Sequence, residues 1–223
     1  MNGKLIVIEG ASDGIGKTTQ FEILKERFIS SGFSVSSHHF PSYGTYYGRP
    51  VEEYLKGSFG NPKDLSPYFV NSLYAVDRGV VWNNILKDKY LSGEVILLDR
   101  YTTSSLIYQS AFITDSEEKK KFLDYVTDFE YNKLGIKRPD KVIFLSADLD
   151  VVNEMRRKRK LETGEAVEGD IHENDLSFMR LVYDSAMFVA DYFNWDVVEC
   201  TSNGKMKSIE EISEEVYKIA SSS

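Results

Sequence analysis

Residues 9–20 read E-G-A-S-D-G-I-G-K-T-T-Q, and they follow directly on the run K-L-I-V-I of residues 4–8. A short apolar strand that breaks into glycines, one lysine and two adjacent threonines is a loop suited to wrapping a phosphate. Residues Ala11 to Thr18 have the spacing of a Walker A loop, with alanine at the first glycine position. Gly14 and Gly16 allow backbone conformations that aim successive N–H groups, those of Ser12, Asp13 and Ile15 among them, at an anion. Lys17 adds a point charge, Thr18 offers a hydroxyl to Mg²⁺, and Thr19 continues the first helical turn, whose positive dipole end faces the same ligand. The whole stretch, Ala11 to Thr19, is therefore expected to bind a phosphate group.

Working outward, the pattern alternates short apolar runs with helical stripes. Five strands are expected, at residues 4–9, 33–40, 94–99, 141–147 and 195–200. Helices are expected after the glycine loop (Phe21, Leu24, Phe28), over 67–92 (Phe69, Leu73, Val76, Val80), over 176–193, and from a capping box at Ser208 and Glu211. This alternation implies an α/β fold: one domain over 1–223, with a five-stranded parallel sheet, helices on both faces, and ligands at the carboxyl ends of the strands. Asp99 ends the apolar run V-I-L-L-D, where an acid reaches Mg²⁺ directly or through water.

Composition narrows the partners. The net charge of −8 gives no bulk attraction for nucleic acid. No apolar stretch approaches the roughly 20 residues that span a bilayer, so no membrane association is expected. One cysteine, Cys200, suits a reducing compartment, and the cytoplasm is the expected location. It ends an apolar-rich run and reads as a buried small residue. The adjacent His38 and His39 point to opposite faces of a strand and do not form a metal pair.

Among P-loop classes, a GTPase needs a guanine-reading N-K-x-D, and residues 132–135 read N-K-L-G. A small nucleotide kinase fits better and needs a mobile cationic lid. Residues 155–170, M-R-R-K-R-K-L-E-T-G-E-A-V-E-G-D, supply one, at about 156–172, with Arg156, Arg159 and Lys160 aligned on a helix end. For the acceptor, Ser104 and Tyr108 share one face of the helix after Asp99, Ser105 and Gln109 the next, all close to Arg100. Tyr74 and Arg78, four apart, could hold a flat base, although the residues alone favour an ordinary, partly exposed helix face.

The stretch D-R-Y-T-T-S-S-L-I-Y-Q, residues 99–109, together with residues 9–19, resembles the signature of the thymidylate kinase family. Asp99, Arg100, Tyr101, Ser104, Tyr108 and Gln109 match it, and Ile107 stands where alanine is usual. The resemblance runs to about Phe193 and includes F-P-S-Y-G at 40–44 and R-P-D-K-V-I-F-L at 138–145. It implies ATP-dependent, Mg²⁺-assisted phosphorylation of dTMP by a homodimer. It implies Asp13 near the acceptor sugar and phosphate, Arg100 on the acceptor phosphate, and Tyr43 beside it. Tyr74 would stack on thymine, Arg78 bond its carbonyl, Ser105 touch the base edge, Phe40 line the pocket, and Tyr108 lie under the sugar. With Gly14 inside the loop, the catalytic arginine would come from the lid, Arg159 first and Arg156 second. Two departures stand out: an extra residue between Gly10 and Asp13, and D-I-H-E at 170–173 where the family has D-R-x-E. The rival readings are a kinase for a deoxynucleoside or another monophosphate, and a non-catalytic nucleotide switch.

Overall fold

Strands β1 (Lys4–Gly10), β2 (Val35–His39), β3 (Val95–Asp99), β4 (Lys141–Ser146) and β5 (Asp196–Glu199) pair in the order β2-β3-β1-β4-β5, every pairing parallel. The computed structural model describes residues 3–11, 14–163 and 176–222. β1 and β3 are sequestered along almost their whole length because helices cover both faces, which explains their unbroken apolar sequences. β2, at the sheet edge, is only partly buried and carries serines and histidines. A short antiparallel hairpin, β6 (Thr201–Ser202) with β7 (Lys205–Met206), follows β5 and was not expected from the sequence.

One face of the sheet packs on α1 (Lys17–Ser30) and α9 (Ile209–Ser221), through Phe21, Leu24, Phe28, Ile212 and Val216. The capping box on α9 forms in full between Ser208 and Glu211. The other face carries α3 (Pro67–Val81), α5 (Thr102–Tyr108), α6 (Ser116–Thr127) and α8 (Leu176–Tyr192). α2 (Arg49–Leu55) flanks α3, α4 (Lys87–Leu91) precedes β3, and α7 (Leu149–Thr163) follows β4. Between α3 and α4 the helix passes through a π segment at Trp82–Leu86, and α6 runs into another at Asp128–Lys133. Among the described residues no helix is long and apolar enough to cross a membrane.

The helix over 67–92 forms as α3, a π segment and α4, and its apolar stripe is not its buried face. Phe69 and Val76 face outward, 43% and 53% exposed, with Leu73 and Val80 half-buried beside them. The buried face instead carries Asn71, Asp77 and Arg78 among Val70, Ala75 and Val81. A polar face is buried because it builds one wall of the site, where partners inside the protein satisfy its hydrogen bonds.

Candidate active site

The parallel register brings the chemistry to one level. Asp99 on β3 lies opposite Ile8 of β1 and His39 of β2, so the carboxyl ends of three strands open into one cavity of about 1150 Å³. Gly14, Ile15, Gly16, Lys17, Thr18 and Thr19 line one side. Gly14 and Gly16 adopt φ of 87° and 89°, the left-handed region that glycine enters at little cost. Gly16 is the N-cap of α1, with no side-chain cap and no acid in the first turn. The helix start thus directs uncompensated N–H groups and its positive end at the cavity. Ala11 is 3% exposed, belongs to the apolar cluster with Leu106 and Ile107, and is absent from the cavity wall. Ser12 and Asp13 lie outside the described residues.

Lys17 Nζ stands 3.3 Å from Asp99 Oδ1, both side chains nearly buried. The other oxygen, Oδ2, accepts from His39 Nδ1 at 3.0 Å. Burial opposes ionisation of Asp99, but the His39 bond and the Lys17 charge outweigh it and hold the carboxyl below its usual range. Arg100, the next residue, has φ of 65°. That turn sends its guanidinium back over the Tyr108 ring, 5.3 Å from the centroid, and to 3.9 Å from Glu9 Oε1. Glu9 is fully buried at the end of β1. It accepts from its neighbour's amide, Gly10 N–H, at 3.0 Å, from Thr103 at 2.7 Å and from Ser104 at 2.6 Å. Glu9 therefore ties the glycine loop to α5.

The opposite wall is aromatic and amide-rich. Phe40, Tyr43, Tyr74, Arg78, Ser104, Ser105, Tyr108 and Gln109 all line the cavity. Arg78 is 1% exposed, so the partly exposed helix face favoured on residues alone is overturned. Its Nε and Nη2 donate to Glu130 at 2.7 and 2.6 Å, and Nη2 also reaches Ser105 Oγ at 2.8 Å. Asp77 Oδ2 accepts the Ser42 N–H at 2.8 Å and pins the 40–44 loop to α3. Gln109 Oε1 is buried with no hydrogen-bond partner among the described residues, an acceptor turned to the cavity side of α5.

A profile described as thymidylate kinase matches residues 8–215. The chain belongs to the thymidylate kinase family. The thymidylate kinase of Mycobacterium tuberculosis is 32% identical over 156 residues, covering 70% of this chain and 71% of that protein. A probable thymidylate kinase of Pyrococcus abyssi is 31% identical over 222 residues, 98% of this chain and 96% of its own. The solved thymidylate kinase of Candida albicans, 24% identical, superposes with a TM-score of 0.69 over 98% of this chain and 91% of its own, a likeness of fold.

A divalent cation carried with a nucleotide would need oxygen donors in this cavity. Asp99 Oδ1 is buried, pairs with Lys17 and makes no hydrogen bond among the described residues, while Thr18, next to Lys17, lines the same cavity and is exposed. A hard oxygen pair of this kind suits a divalent cation carried with a triphosphate. The lid falls largely outside the described residues: α7 runs to Thr163, but the side chains of Arg156 and Arg159 and residues 164–175 are not among them. His39 and Glu130 were missed from the sequence. They meet Asp99 and Arg78 across 60 and 52 positions, and no local motif announces either.

Proposed function

We propose that the chain transfers the γ-phosphoryl group of ATP to the 5′-phosphate of dTMP, giving ADP and dTDP, and that it does so as a single domain with a lid at about 156–172. The carrying observation is that one cavity is lined by the glycine loop, by the Lys17–Asp99 pair, by Arg100, and by Tyr74, Arg78 and Ser105. A donor triphosphate on the loop and an acceptor held by Arg100 would meet head to head.

An oxygen of the acceptor phosphate attacks the γ-phosphorus as the bond to the β,γ-bridging oxygen breaks. The acceptor monophosphate, with a second pKa of about 6, is already ionised at neutral pH, so no general base is required. The protein's work is positioning and charge stabilisation. Lys17 and the amides of Ala11 to Thr19 hold the donor phosphates. Thr18 and Asp99 would hold Mg²⁺, which offsets charge on the β- and γ-oxygens. Arg159 and Arg156, on the lid helix, would approach the transferred group. Asp13 and Tyr108 face the sugar in this reading, Tyr43 the phosphate, and Phe40, Tyr74, Ser104, Ser105 and Gln109 shape the base and sugar pocket around Arg78.

The outward apolar stripe of α3 supports a homodimer. Val76, Val80, Gly79, Phe129 and Leu134 line one continuous shallow surface. We take the compartment to be the cytoplasm, since the one cysteine, Cys200, is buried and its thiol is pushed up to about 12 by burial, inert rather than reactive.

The decisive experiment is steady-state phosphorylation, with ATP and Mg²⁺, of thymidine and of each deoxynucleoside monophosphate in turn. Preference for dTMP is expected. Preference for unphosphorylated thymidine would remove the role given to Arg100 and favour a nucleoside kinase.

A further inference from the structure

The Arg78–Glu130 pair is more than a buried ion pair. Both side chains are closed to solvent, 1% and 0% exposed, yet Arg78 forms part of the cavity wall. A guanidinium has five N–H donors in a fixed fork. Glu130 takes the Nε edge: Oε2 accepts from Nε at 2.7 Å and Oε1 from Nη2 at 2.6 Å. Thr102 Oγ1 donates to the same Oε2 at 2.7 Å and fixes the carboxylate's rotation. Ser105 Oγ accepts from Nη2, with Asn71 Oδ1 further off at 3.4 Å. Nη1 has one long contact among the described residues, 3.4 Å to the Tyr101 carbonyl. Nε and Nη2 are therefore committed to protein acceptors, while Nη1 keeps an N–H with no hydrogen bond among the described residues.

Two consequences follow. The full positive charge of Arg78 is compensated at contact distance in a dry wall, so that remaining N–H is a hydrogen-bond donor rather than an anion receptor. A ligand group placed there must also be an acceptor. Glu130 owes its inward position to the π segment at Asp128–Lys133, a local irregularity of helix that recurs at functional sites. Its flanking residue Asp128, on the same segment, is exposed.

We propose that Glu130 is a positioning residue for base selection: by neutralising Arg78 and locking its orientation, it makes the site take a pyrimidine that presents a neutral carbonyl there and reject one that presents an amino group. The inference rests on the reading of Arg78 as the base contact.

The test compares Arg78→Gln, Glu130→Gln, the double variant and Glu130→Asp with the parent chain. Measured are KM and kcat for dTMP and dCMP, KM for ATP, calorimetric dTMP binding without ATP, and thermal melting. Arg78→Gln is expected to raise KM for dTMP about tenfold or more and to narrow the dTMP-over-dCMP preference by a similar factor. Glu130→Gln is expected to raise KM for dTMP and weaken binding about tenfold, with kcat within about threefold and KM for ATP unchanged. Because Glu130 acts through Arg78, the double variant should be no worse in KM than Arg78→Gln, and its neutral pair should fold. If Glu130→Gln does not fold, Glu130→Asp keeps the charge and loses the two-point reach, and should show the same split. An effect in Arg78→Gln with none in either Glu130 variant, or additive effects in the double variant, overturns this inference alone. No effect in Arg78→Gln removes the base-reading role of Arg78 and this inference with it.

Discussion

Lys17 and Asp99 form an ion pair of 3.3 Å in the cavity wall, so the groups assigned to the donor phosphates and to the metal lie in direct contact. The pairing keeps the Lys17 ammonium from folding back into solvent. Lys17→Ala is expected to lower turnover by roughly a hundred- to a thousandfold, the scale of losing one preorganised donor to transferring charge. Asp99 retains His39 in that variant, so circular dichroism should show an intact fold and Tm should fall by only a few degrees. Near-normal turnover would contradict the mechanism.

His39 holds the second oxygen of Asp99 from the edge strand. His39→Ala frees that oxygen and lets the carboxylate rotate. Apparent KM for ATP at limiting Mg²⁺ should rise about three- to tenfold while KM for dTMP stays put. His39→Asn, whose amide can donate to the same oxygen, should recover part of the loss. Equal behaviour of the two variants would show that the contact is incidental.

Arg100 is a non-glycine residue in the left-handed region, at φ of 65°. That conformation costs a side-chain-bearing residue about 1–2 kcal/mol. Arg100→Gly and Arg100→Ala should both raise KM for dTMP about a hundredfold by removing the phosphate contact. Arg100→Gly should melt at or above Arg100→Ala, the reverse of the order at an ordinary position. A clearly lower Tm for the glycine variant would mean that the turn stores no strain.

Burial depresses the His38 imidazole below its usual pKa, and nearby Asp77 pulls only part of the way back. The unfolded chain takes up a proton at His38 near pH 6.5 while the folded chain resists until lower pH. Its contribution to stability is therefore present above about pH 6.5 and lost as pH falls through the folded value. Tm should drop less between pH 7.5 and pH 5 in His38→Gln than in the parent, although glutamine can still reach Ser42 as His38 Nε2 does, at 2.8 Å. Parallel melting curves for the two proteins would refute this.

Val76, half exposed in the middle of the α3 stripe, tests the assembly. Val76→Asp places a charge where a second copy would have to desolvate it. Sedimentation is expected to give a dimer for the parent and a monomer for the variant; a parent monomer would dismiss the homodimer.

The sheet, the glycine loop and the wall from Asp99 to Gln109 are legible in the sequence because each is written locally. Strand runs, positive-φ glycines and a helix start at fixed offsets all lie within about ten residues of one another. Lys17, Thr18, Arg100 and Tyr108, all from such local stretches, line the cavity. The buried face of α3 was not legible because hydrophobic periodicity finds an apolar stripe without saying what covers it, and here Asn71, Asp77 and Arg78 are buried. Contacts such as Arg78 with Glu130 or Glu9 with Thr103 join distant segments, and only the folded backbone brings them together. The two-residue strands at Thr201–Met206 are too short to leave a period-2 signal.

The pairing of Ile8, Asp99 and His39 at one rung of the sheet has an outcome for how this chain can vary in length. Side chains alternate along a strand, so adding or deleting a single residue within β3 would swing the aspartate to the far side of the sheet and strand the histidine opposite an aliphatic neighbour. Growth and shrinkage are thus confined to the turns at 31–34 and 92–94, where strands begin, and the rims where β1, β2 and β3 end are fixed in count as firmly as in kind.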